Sequence, residues 1–69
     1  MTNDNIIAML REGHSMRIDP RAEADLLMMA LAAAESGATL TIAGEMSAEV
    51  MFNVARAGAG RVVWDIAPQ

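Results

Sequence analysis

The chain has 69 residues and a net charge of −4, from nine carboxylates against five arginines, with no lysine and no cysteine. The length fixes a single small domain over residues 1–69. The acidic balance disfavours direct binding to DNA or RNA phosphates, and the lack of cysteine excludes a disulfide framework or a thiolate metal site.

The first helix is predicted over residues 3–12, with Asn3 or Asp4 as its cap and Gly13 as its left-handed stop. A first strand follows over 14–18. Asp19-Pro20 then reads as a helix start, Asp19 capping and Pro20 in the first helical position. That second helix runs to Ser36 and stops at Gly37. The second strand covers 38–43. Gly44-Glu45 turns the chain, and Ser47 caps a third helix that ends near Ala57. The third strand covers 61–66, and Ala67-Pro68-Gln69 follows it.

Helix, glycine and alternating strand thus recur three times, a sign of stacked supersecondary units. Short strand–helix–strand connections make the strands parallel and the crossovers right-handed. The expected fold is α/β: three αβ units and a three-stranded parallel sheet of order 1-2-3, with the helices on one face. The strands support this. Met16, Ile18, Leu40, Ile42, Val62, Trp64 and Ile66 would point one way; Ser15, Arg17, Asp19, Thr39, Thr41, Arg61, Val63 and Asp65 would point the other. A parallel sheet covered on both sides would read as unbroken apolar runs instead. In geometry this resembles a short stretch of a leucine-rich-repeat solenoid, although the Leu40-Thr41-Ile42 strand lacks the asparagine that normally follows.

The composition is 54% hydrophobic with only Phe52 and Trp64 aromatic, so aliphatic residues and seven methionines must fill the interior. That apolar share is high for a chain with so much surface, and part of it is expected to meet a partner or a second copy. Leu26 to Ala34 is apolar all round. Either this helix is central and flanked by the other two, or it makes a homodimer contact through Met28 and Ala32. The same run is too short to span a bilayer, and Met1-Thr2-Asn3-Asp4-Asn5 carries no basic leader. A cytoplasmic protein, monomeric or homodimeric and not bound to a membrane, is expected.

Asp19, Glu23, Asp25, Glu45, Glu49 and Asp65 fall at strand carboxyl ends or in the following helical first turns. Carboxylates there offset helix dipoles in many proteins. Gathered at one end, they would also form a patch suited to a basic protein surface. Their spacing lacks the close alternation of a calcium loop, so no metal or other cofactor is expected. Ala57-Gly58-Ala59-Gly60 leaves a helix and enters a strand, the wrong polarity for a phosphate cradle. His14 and Ser15 are neighbours on a strand and point to opposite faces, which argues against catalysis. The expected protein is therefore not an enzyme.

In size, charge and absence of cysteine the chain is similar to the phage-encoded anti-CRISPR proteins, a group without a shared sequence motif. The resemblance implies an inhibitor from a phage or other mobile element. It would act as a DNA mimic on the nucleic-acid-binding surface of a basic protein complex. The alternative is a small self-associating adaptor or interaction module that uses the second helix or the open face of the sheet.

Overall fold

Three αβ units follow one another in the computed structural model, which describes residues 1–66. They are α1 (Asn3–Arg11) and β1 (Met16–Ile18), α2 (Glu23–Ser36) and β2 (Leu40–Ala43), and α3 (Ala48–Ala57) and β3 (Val62–Asp65). The expected segment Ala67-Pro68-Gln69 lies outside the described residues.

All strand pairs are parallel and the order is β1-β2-β3. The register aligns Arg17, Thr41 and Val63 in one row and Ile18, Ile42 and Trp64 in the next. Adjacent rows point to opposite faces. Ile18, Leu40 and Ile42 are buried, and Met16, Val62 and Trp64 pack against the same core. Arg17 and Val63 are exposed on the other face. The helices therefore cover one face only. Ile66, expected to continue the inward row, lies one residue beyond β3 and is exposed.

α2 packs between α1 and α3. Its inner side supplies Leu26, Met29, Ala30, Ala32 and Ala33 to the core. The bulkiest fully buried side chains are Leu10, Leu26, Met29, Leu40, Ile42 and Val54, drawn from all three helices and the middle strand. Burying an aliphatic side chain of this size contributes about 1.5–3 kcal/mol. Small residues on α2 bring its flanks close to its neighbours. Ser36 Oγ donates to the Leu10 carbonyl of α1, and Asn53 Nδ2 of α3 donates to Glu23 Oε2.

The helix starts differ from expectation in two places. Thr2, not Asn3 or Asp4, caps α1 by accepting from the Asn5 N–H at 3.2 Å. Asp19-Pro20 does not open α2. The chain stays non-helical through Ala22, and α2 begins at Glu23 without a side-chain cap. Tertiary contacts hold this loop. Arg21 reaches Asn3, and Pro20 lies so near Gly44 that a Cβ there would come within 2.6 Å of its Cγ. Ser47 caps α3 as its sequence position implies.

At the helix ends, Gly13 and Gly37 take the left-handed backbone expected of them. The end of α3 is different. Gly58 keeps a right-handed φ of −81°, and Ala59 and Gly60 make the left-handed turn. Gly58 is required for space instead: a Cβ there would lie 2.3 Å from Val62 Cγ2.

Candidate functional site at the carboxyl edge of the sheet

Each helix runs back against its strand, so three helix N-termini and three strand carboxyl ends share one edge of the molecule. The topology brings the six expected carboxylates to that edge. Asp19 follows β1, Glu23 and Asp25 lie in the first turn of α2, Glu45 follows β2, Glu49 lies in the first turn of α3, and Asp65 ends β3. A seventh belongs with them. Asp4 sits in the first turn of α1 and is exposed. It escaped the sequence reading because no strand precedes α1.

The seven are not equivalent. Asp65 turns onto the open sheet face and pairs with Arg17 across β2, at 2.5 Å. This is the only ion pair among the described residues. Glu23 is half-buried and accepts from Asn53 at 3.1 Å. Asp25 is half-buried and in no ion pair, and Asp4, Asp19, Glu45 and Glu49 are exposed and unpaired. Arg21 does not neutralise them: its Nη1 donates to Asn3 Oδ1 at 2.7 Å and its Nε to the Asp19 carbonyl at 3.1 Å.

Part of this charge has a local role. Carboxylates in a first turn interact favourably with the helix dipole, by about 0.3–1 kcal/mol each. α2 has the greatest use for them, because Ala22 offers no cap. The dipole effect fades beyond the first turn. Asp19 and Glu45 lie in loops before the N-caps, so it does not account for them.

The opposite edge is mixed. Arg11, Glu35 and Arg56 lie in last turns, and Glu12, His14 and Arg61 lie in the connections that follow α1 and α3. Ser15 is engaged locally, its Oγ accepting from the Thr39 N–H at 3.0 Å. Among the described residues no three acidic or histidine side chains converge as an ion-binding group. An open groove of about 460 Å³ runs by β1, lined by Ile6, Met16 and Ile18 together with Arg17, Asp19 and Arg21. Two arginines and one of the carboxylate residues thus share its lining.

The expected contact pair on α2 is divided. Met28 is 53% exposed, but Ala32 is only 2% exposed, on the flank of α2 that faces α1. Four residues on a helix are separated by about 40° of rotation, enough here to turn Ala32 under the neighbouring helix. The outward apolar residues are Met28 and Leu31, joined by Phe52 of α3.

No helix among the described residues is long and apolar enough to cross a membrane. No family model, curated protein or solved structure matches the chain.

Proposed function

We propose that the protein is a non-enzymatic inhibitor. Its acidic edge occupies a basic protein surface that otherwise holds nucleic acid, in the manner of an anti-CRISPR DNA mimic. The observation that carries this reading is the set of exposed, unpaired carboxylates Asp4, Asp19, Glu45 and Glu49 along one edge, two of them outside any helical first turn. Exposed carboxylates gathered at one edge give that edge a negative potential. Such a surface speeds encounter with a basic groove and weakens as salt rises.

The test is competition with duplex DNA for a CRISPR interference complex. The wild-type chain should displace the DNA, less so at high salt. A double variant, Asp19→Lys and Glu45→Lys, should lose displacement while its circular dichroism stays that of the wild type. Undiminished competition by the folded variant, or none by the wild type, defeats the reading.

A further inference from the structure

The outer surface of the helical layer has a pattern that the core does not use and that shares only Asp4 and Glu49 with the acidic edge. Three exposed stripes run along it. On α1 the stripe is Asp4, Ala8 and Arg11; on α2 it is Ala24, Met28, Leu31 and Glu35; on α3 it is Glu49, Phe52 and Arg56. Met28, Leu31 and Phe52 are 53%, 50% and 65% exposed, large apolar side chains on the two adjacent helices α2 and α3.

The flanking charges say what covers it. Both outer helices begin with an outward carboxylate and end with an outward arginine. Acid and base are two turns apart, roughly 10 Å along the axis, too far to pair within one helix. A second copy laid face to face, with its helices antiparallel, puts each base over an acid. Asp4 meets Arg11 of the second copy, and Glu49 meets its Arg56. By symmetry each contact occurs twice. A parallel arrangement would set Asp4 on Glu49 and Arg11 on Arg56, like on like. Glu35, the remaining outward acid, would lie over the positive end of the opposing α2.

We infer that the protein forms an antiparallel two-fold homodimer through the outer face of its helical layer. Met28, Leu31 and Phe52 form its apolar centre, and the Asp4–Arg11 and Glu49–Arg56 pairs fix its direction. The dimer leaves the open sheet face free and, at each end, leaves Asp19 and Glu45 outside its ion pairs.

Sedimentation velocity on the intact chain, at concentrations on the order of 100 µM, tests this above the micromolar range of weak association. The expected mass is twice the 7.3 kDa of the monomer. Leu31→Lys and Phe52→Lys should each weaken association by roughly tenfold or more, as central apolar anchors do. Glu49→Arg and Arg56→Glu should each weaken it, and the two together should restore it, because the swap re-forms the pair only between copies. Asp19→Lys with Glu45→Lys should leave the mass unchanged, so this test and the DNA competition fail separately. A wild-type monomer, or a double swap no stronger than either single change, overturns the proposal.

Discussion

The two faces of the sheet are built from the same short strands, yet they do different work. On the covered face, Ile18, Leu40 and Ile42 are 6%, 0% and 0% exposed and touch a helical layer with no polar side chain in its buried core. On the open face, one residue along, stand Arg17, Thr41, Val63 and Asp65. Folding free energy in so small a domain must come almost wholly from the first face, since one layer of helices over one sheet makes only one core. The second face is held by backbone pairing and a single surface ion pair. This asymmetry also frees the carboxyl edge and the outer helical face to carry charge and exposed apolar groups, because neither is needed to close the core.

The sharpest contrast should come from neighbours in β2. Leu40→Ala and Ile42→Ala remove fully buried side chains and should each cost about 2–5 kcal/mol. Against a total of order 5–15 kcal/mol, either change would leave the domain marginal or unfolded. Thr41→Ala, between them and facing outward, should stay within about 0.5 kcal/mol. Urea unfolding monitored by Trp64 fluorescence measures all three. Comparable losses from the inward and outward changes would mean that the open face is packed against something in solution.

A smaller effect tests the seam where α3 returns to β3. Gly58→Ala places a methyl 2.3 Å from Val62 Cγ2. Valine is stiff at χ1, so its branch cannot swing clear without a rotamer change. The helix preference for alanine over glycine, up to about 1 kcal/mol, works in the opposite direction. Overpacking of roughly 1–3 kcal/mol should prevail. In a Val62→Ala background the same change should cost less. An equal cost in both backgrounds would place the strain elsewhere than at this contact.

The order of elements and the two sheet faces were legible because both depend on local periodicity and on short connections. Met16-Arg17-Ile18 and Leu40-Thr41-Ile42 alternate, and Gly13, Gly37 and Ser47 mark boundaries wherever they occur. What escaped depended on neighbours distant in the chain. The Asp19-Pro20 start signal was overridden by Pro20 against Gly44 and by Arg21 on Asn3. Gly58 resembles a conformational stop, but it is glycine because Val62 lies against it. In α2 an unbroken apolar run carries no mark of which side faces outward. Ala32 and Met28 were separated only when α1 was laid beside them. The carboxyl edge was largely legible, since topology alone gathers the acids there. That Asp65 and Glu23 are occupied by Arg17 and Asn53 was not, because those partners lie 48 and 30 residues away.

The least costly change should be the one that links the open face to the acidic edge. Arg17 and Asp65 are 62% and 45% exposed in their side chains, so their pairing is well solvated and should contribute only about 0.2–1 kcal/mol. A cycle of Arg17→Gln, Asp65→Asn and the double variant isolates that coupling, which should shrink toward zero in 1 M salt, where the screening length is about 3 Å. Its functional consequence is larger than its stability. Arg17→Gln leaves Asp65 unpaired and raises the negative charge of the edge by one. If the edge engages a basic groove, this variant should bind more tightly than wild type at low salt, while Asp65→Asn should bind no better than wild type. Equal binding by all three chains would mean that β3 ends outside the contact and that the acidic surface is confined to Asp4, Asp19, Glu45 and Glu49.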